Sequence, residues 1–319
     1  MAKTAKKFQI NGKEVARGQN EVIRLNVARL PSGTVISLRI LVYRSKLPGP
    51  TALIMGGVHG DEINGVEIVR RAIKSKMFEQ LKVGSVIAIP LLNVYGFINF
   101  SRDASEGKDV NRSFPGNAKG SLASRVAHTV TKNILPLIDF GLDFHTGGSS
   151  RYNFPQVRYT KGDTAAKEIA HAFAAPYLIS KTNTTNTLRK QAHSMGKPIV
   201  VYEGGESLRF DGFAIARALA GLQRVLHRKG MLDAAPKPTS QPITFQKTTW
   251  VRADRSGIFE WLQESGCKVS IGEKLGIIRD PYGESEVYVK ASRTGYIIGH
   301  NNAPVVSQGD ALFHIGYQL

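Results

Sequence analysis

The sequence predicts an α/β domain, a mixed sheet flanked by helices, followed by a small all-β module. From Thr51 onward, apolar runs of strand type alternate with segments of helical spacing, the pattern of parallel strands joined by crossover helices. Pro236, Pro238 and Pro242, set among Ser, Thr and Ala, then break that rhythm. After the break, glycines at 257, 266, 272, 276, 283, 295, 299 and 309 punctuate short β-type runs. The expected organisation is a large domain over residues 1–235 that includes N-terminal strands, a linker over 236–248 and a β module over 249–319.

Residues 8–30 and 33–44 cluster or alternate β-branched and apolar side chains around Asn11-Gly12 and Pro31-Ser32-Gly33, so they read as antiparallel strands. Thr51–Val58 reads as a buried strand. A helix follows over Asn64–Met77 on the spacing of Val66, Ile68, Val69, Ala72 and Ile73, and Ser85–Leu92 is again a strand. The series continues with a helix near Ser121–Ile134, a strand at Ile138–Phe144, a helix near Thr164–Phe173, a strand at Pro198–Tyr202 and a helix at Phe213–Lys229. Residues 93–120 show no period, and a loop of that length inside a compact α/β domain is usually functional. The C-terminal runs Gly257-Ile258-Phe259-Glu260, Val269–Ile278 and Gly295–Gly299 are similar to the barrel-sandwich hybrid of lipoyl and biotinyl carriers. No Met-Lys-Met or Asp-Lys-Ala stands near Pro281-Tyr282-Gly283-Glu284, so the module is expected to pack on or cap the large domain rather than carry a cofactor.

Composition narrows the class. A single cysteine, Cys267, excludes an intrachain disulfide and suits a reducing compartment. The stretch Met1–Lys7 is basic, but Asn11-Gly12-Lys13-Glu14 interrupts it before a signal-type apolar run, and no segment reaches the ~18 apolar residues of a membrane span. A cytoplasmic protein with no membrane partner is expected. The net charge of +18 is uneven: residues 1–248 carry 36 Lys+Arg against 17 Asp+Glu, a net of +19, whereas residues 249–319 carry 7 against 8, a net of −1. Such a field draws in anions. No aromatic-interleaved RNA motif, Cys/His finger or long Lys/Arg block accompanies it, so nucleic acid is not expected as the main partner.

Four polar candidates fall at strand ends, where ligands bind in open α/β sheets. His59 and Glu62 lie in Gly56-Gly57-Val58-His59-Gly60-Asp61-Glu62, and His145 follows 83 residues after Glu62 in Asp143-Phe144-His145-Thr146-Gly147-Gly148. A short pair plus one distant ligand is the pattern of a catalytic zinc with three protein ligands and an open fourth position. Asp61 and Asp143 are candidates to orient a metal-binding histidine. The long loop contributes Arg102 and the run Asp109-Val110-Asn111-Arg112-Ser113-Phe114-Pro115-Gly116, whose guanidiniums suit carboxylate or oxyanion binding. Glu203, in Val201-Tyr202-Glu203-Gly204-Gly205-Glu206, immediately follows a strand and is the preferred general base over Glu206. Arg151, Asn153 and Arg158 are candidate contacts for a polar substrate.

Taken in order, Gly-Gly-x-His-Gly-Asp-Glu, Ser-Arg with Asp-x-Asn-Arg-Ser-Phe-Pro-Gly, Asp-x-His-Thr-Gly and Tyr-Glu-Gly-Gly resemble the succinylglutamate desuccinylase/aspartoacylase family of the zinc carboxypeptidase clan, over roughly residues 50–230. The resemblance implies a zinc-carboxypeptidase-like fold, zinc on His59, Glu62 and His145, carbonyl polarisation by Arg102, carboxylate binding by Asn111 and Arg112, and Glu203 as base. It also implies removal of an acyl group from an amino acid, and it accommodates the C-terminal β module. The specificity residues of aspartoacylase do not map onto the stretch 147–158.

The resulting expectation is a zinc amidohydrolase acting on an N-acylated amino acid or a similar amide bearing a carboxylate. A carboxypeptidase trimming acidic peptides or polyglutamate tails is the alternative that the basic domain suggests. A binding module without activity is a third class, with the basic residues engaging nucleic acid.

Overall fold

The computed structural model describes residues 8–318, and the basic stretch Met1–Lys7 lies outside the described residues. Strands β1 (Gln9–Ile10) and β2 (Lys13–Glu14) form a small hairpin around Asn11-Gly12. Strands β3 (Asn20–Arg29) and β4 (Val35–Arg44) pair antiparallel, with alternating buried positions that place Ile23, Leu25, Ile36, Leu38 and Ile40 inside. The chain then winds through β5 (Leu47–Gly56), α1 (Ile63–Lys74) and β6 (Val83–Ile89). It continues with α2 (Val94–Ile98), α3 (Leu122–Asn133), β7 (Phe140–Gly147), β8 (Arg151–Thr160), α4 (Thr164–Phe173), β9 (Tyr177–Lys181), α5 (Leu188–Ser194), β10 (Ile199–Glu206) and α6 (Gly212–Arg228). The sheet runs β3-β4-β6-β5-β7-β10-β8, parallel across β6, β5, β7 and β10 and antiparallel at both flanks.

Both faces of the sheet are covered. Helices α3 and α5 pack Val126, Ala127, Val130, Leu188 and Ala192 on one side, and α1, α4 and α6 pack Ile68, Val69, Ile169, Leu222 and Val225 on the other. Because the central strands are buried on both faces, Ala52–Gly56 and Val86–Ile89 are continuous apolar runs rather than alternating ones.

Past residue 240 come β11 (Ile243–Phe245), β12 (Lys247–Arg252), β13 (Gly257–Trp261), β14 (Lys268–Val269), β15 (Lys274–Arg279), β16 (Glu286–Lys290), β17 (Gly295–Asn301), β18 (Val305–Val306) and β19 (Ala311–Tyr317). One antiparallel sheet has the order β16-β15-β13-β18. The other strands extend the main sheet: β17 pairs with β8 through Gly299–Asn301, followed outward by β19 and β12, while β11 pairs with β9. The fold is therefore a mixed α/β sheet flanked by helices with a C-terminal antiparallel sheet. Among the described residues no helix is long and apolar enough to cross a membrane.

The sequence reading did not find β8. Pro155 lies inside it, and proline is normally confined to strand edges or bulges. Here Pro155 sits at the irregularity where β8 shifts register against β10 and changes its other partner, from β17 at Arg151–Asn153 to β9 at Gln156–Thr160.

Candidate active site

The first ligand pair is built by a close strand-to-helix turn. A Cβ on Gly56 would stand 2.4 Å from the Gly65 carbonyl oxygen, and one on Gly65 would stand 2.3 Å from that of Phe144, so glycine at both places lets the start of α1 lie against the ends of β5 and β7. That contact brings Glu62, at the N-terminus of α1, to His145 on β7. His59, Glu62 and His145 are all buried, and their candidate ligand atoms lie within 4.8 Å of one another. His59 Nδ1 is 2.6 Å from Glu62 Oε1, His145 Nδ1 is 2.8 Å from Glu62 Oε2, and the two Nδ1 atoms are 3.2 Å apart.

Each imidazole is held from behind by a carboxylate. His145 Nε2 lies 2.9 Å from Asp143 Oδ2, and His59 Nε2 lies 3.2 Å from Asp109 Oδ1. Donation from each Nε2–H would leave Nδ1 free to turn its lone pair to a cation seated among the three groups, the arrangement by which carboxylates orient metal-binding histidines. A buried set of two imidazole nitrogens and one carboxylate suits zinc or a similar divalent ion. Between the protein groups themselves the electrostatics are strong. Burial opposes charge on His145, yet Asp143 and Glu62 raise its pKa well above the ordinary value, and burial of Glu62 is outweighed by His59 and His145, which hold it well below.

Arg102 leans into this cluster. Its guanidinium donates to Glu62 Oε1 at 3.1 Å and to Asp109 Oδ2 at 3.0 Å. Asp109 thus joins the loop arginine to His59, and its pKa is lowered because His59 and Arg102 overcome the effect of burial.

Glu203 stands beside His145 in register across the parallel pair β7 and β10. Both strands run beyond their expected ends, so His145 and Glu203 lie in their last turns of pleat rather than after them. The Glu203 carboxylate receives Arg158 Nη1 on Oε1 and Asn153 Nδ2 on Oε2, each at 2.9 Å. Glu206 is held elsewhere by Asn302 and Arg209 and does not line the cavity.

A cavity of about 330 Å³ opens over these groups, and His59, Glu62, Arg102, Asn111, Arg112, His145, Arg151, Asn153, Arg158 and Glu203 all line it. Asn111 Oδ1 accepts from the Leu188 amide at 2.9 Å, fixing the loop against α5. Arg112 is half exposed and, among the described residues, donates to the Asn111 carbonyl alone, apart from a distant 4.0 Å approach to Asp109. Four lining residues were not found from sequence, Thr184, Thr187, Arg189 and Trp250. Arg189 sits on the short helix α5, whose signal is the N-cap Thr187; burial, then Arg158, lowers its pKa to about 10. Asp109 lies within the recognised loop motif but had no role assigned from the sequence.

A doubly covered mixed α/β sheet with a buried His-Glu-His cluster at its strand ends, able to hold a metal ion, is the architecture of the chain. Residues 48–228 match the model of the succinylglutamate desuccinylase/aspartoacylase catalytic domain, and the chain belongs to that family. It is 27% identical over 280 residues to the N-alpha-acetyl-L-2,4-diaminobutyric acid deacetylase of Halomonas elongata, covering 83% of this chain and 81% of that one. Among solved structures it is similar to the product-bound ectoine utilization protein EutE (DoeB) of Ruegeria pomeroyi, with a TM-score of 0.84 at 24% identity over 94% of this chain and 95% of the other. A succinylglutamate desuccinylase/aspartoacylase from Rhodobacter sphaeroides aligns with a TM-score of 0.84 at 25% identity, covering 94% and 96%.

Proposed function

We propose that this chain is a zinc-dependent amidohydrolase that removes an acyl group from an N-acylated amino acid or a similar amide bearing a carboxylate. The observation that carries the reading is the opening of the His59-Glu62-His145 cluster, the Glu203 carboxylate and a set of arginines onto one cavity. The deacetylase activity named for the Halomonas relative supports the reaction type. A volume of about 330 Å³ suits a small molecule, since small-molecule pockets begin near ~300 Å³.

His59, Glu62 and His145 would hold the ion. Bound there, zinc would supply carbonyl polarisation and an acidified water. Glu203, next to His145 on the adjoining strand, would take a proton from the water whose oxygen adds to the amide carbonyl carbon and deliver it to the nitrogen as the C–N bond breaks, leaving a carboxylate and an amine. Asn153 and Arg158 line the cavity as expected of substrate contacts, but each also bonds Glu203, so we assign them to aim that carboxylate while their remaining donors face the substrate. Arg102 would stabilise charge growing on the carbonyl oxygen, and Asn111 with Arg112 would grip the substrate carboxylate. Arg151 stays a substrate contact.

The test is mass-spectrometric product analysis of the zinc-loaded protein with a mixed panel of N-acyl amino acids and acidic C-terminal peptides. Free amino acid from the acylated set is the expected product and identifies the acyl group. Shortened peptides with no deacylation would replace this reading by the carboxypeptidase one.

A further inference from the structure

The cavity has one aromatic wall, Trp250, and it comes from β12 in the C-terminal part of the chain. Trp250 is the direct cross-strand partner of His314 on β19, His314 is in register with Gly299 on β17, and Gly299 is in register with Asn153 on β8. Registered partners project to the same face of a sheet. One row therefore leads from Trp250 to the residue that bonds Glu203. Gly299 leaves a gap in that row, and a Cβ there would stand 2.8 Å from the Tyr152 carbonyl oxygen and 2.9 Å from Asn153 Oδ1. The bare position lets Asn153 lie flat against β17 on its way to Glu203.

On the other side of the gap His314 is 2% exposed and stacks on Trp250 with ring centroids 4.3 Å apart and planes 6° from parallel. Neither of its ring nitrogens has a hydrogen-bond partner among the described residues. Burial, then Arg158 and Lys181, holds its pKa well below the ordinary value. It is a neutral, flat platform, and its polar atoms do nothing that explains their burial. With His314 on one face of the indole, the Arg151 guanidinium lies over the ring at 5.8 Å from its centroid, within cation–π range. Among the described residues no carboxylate pairs with Arg151, so its donors remain free at the cavity.

We propose that Trp250, held flat by His314, is a positioning residue that orients the Arg151 guanidinium toward an anionic group of the substrate, so that the C-terminal strands set the affinity of the site. The stack acts through Arg151 and takes no part in proton transfer. This assignment rests on the cavity being the substrate site, as in the deacylase reading, but it can be tested without turnover.

Trp250 and Trp261 are the two tryptophans of the chain, and Trp261 bonds Asn302 away from the cavity, so Trp261→Phe leaves Trp250 as the sole tryptophan, excited selectively to the red of the tyrosines. Titrating that protein with succinate as a carboxylate probe is expected to give a saturable change in Trp250 emission. Arg151→Ala should abolish the change, and His314→Leu should weaken apparent binding about three-fold, a loss of the size of an exposed cation–π contact. His314→Phe, which keeps the stack and removes the unpaired nitrogens, should restore it. In calorimetry with succinate, Trp250→Leu and Arg151→Ala should weaken binding by similar factors, and the double variant should be no worse than Arg151→Ala. With any amide that is turned over, Trp250→Leu should raise KM about three-fold and change kcat by less than about 1.5-fold. A titration midpoint indifferent to Arg151→Ala or His314→Leu, or losses that multiply in the double variant, overturns the proposal. If no amide is hydrolysed but the succinate titrations behave as stated, the deacylase reading fails and the positioning role stands.

Discussion

The two sides of the cavity are built on opposite plans. On the metal side the charged groups bond chiefly to one another: Glu62 faces two imidazoles, each imidazole is backed by an aspartate, and Arg102 closes the network, with Asp143 Oδ1 left over among the described residues. On the other side Arg112, Arg151 and Arg189 carry donors in excess of their protein partners. Buried groups interlocked by charge-assisted bonds are held in place, whereas cations short of acceptors favour an anionic ligand that comes and goes. The difference suits one side to holding a cation and the other to receiving an anion. Glu203 stands between, adjacent to His145 in register and bonded to Arg158.

Variants on the two sides should therefore fail differently. The largest effect is expected at the boundary: Glu203→Gln keeps the donors of Arg158 and Asn153 occupied but removes the base, and should lower kcat by about 10²–10⁴-fold while zinc content is unchanged. Steady-state rates with metal analysis of the same sample check this, and near-normal kcat would remove Glu203 from that role. On the rigid side, Asp143→Asn should weaken zinc affinity by about 10–100-fold, because His145 loses the carboxylate that orients it. A competition titration against a chelator measures that loss, and unchanged affinity would mean that packing alone orients the ring. On the open side, Arg112→Ala should raise KM at least about ten-fold, the size of a lost hydrogen bond to a charged group, and leave zinc affinity untouched. A parallel loss of zinc would break the separation between the two sides.

The smallest effect concerns pH. Burial lowers the His300 pKa to about 4 and holds that of His314 well below the ordinary 6.5, so both rings stay neutral in the fold while the unfolded chain takes up protons. Their contribution is complete above about pH 6.5 and is lost as pH falls from there toward 4. Urea midpoints recorded from pH 8 to 4.5 should show wild type losing stability on acidification relative to His314→Phe. Parallel profiles would contradict the assignment.

Local patterns carried the recognition of the site because its residues sit where periodicity changes. His59 follows an apolar run, Glu62 opens a helix, and His145 and Glu203 fall near the ends of buried strands, each visible without knowing the strand order. What escaped depends on pairing across long sequence separations. Trp250 reaches the cavity because β12 is joined to β8 through β19 and β17, a register that no local spacing encodes. Arg189 lies on a seven-residue helix too short to show a period, and β8 was obscured by the proline at its irregularity. Asn153 and Arg158 were found as polar residues after His145, but only the pairing of β8 with β10 reveals that both meet Glu203.

The most direct test of the account is a zinc titration of chelator-treated protein, following release of free amino acid from the N-acyl substrate identified by mass spectrometry. Activity is predicted to be absent without metal, to rise linearly and to stop at one zinc per chain, with His145→Ala neither binding the ion tightly nor recovering turnover. Full hydrolysis by the metal-free protein, or normal activation of His145→Ala, would contradict it.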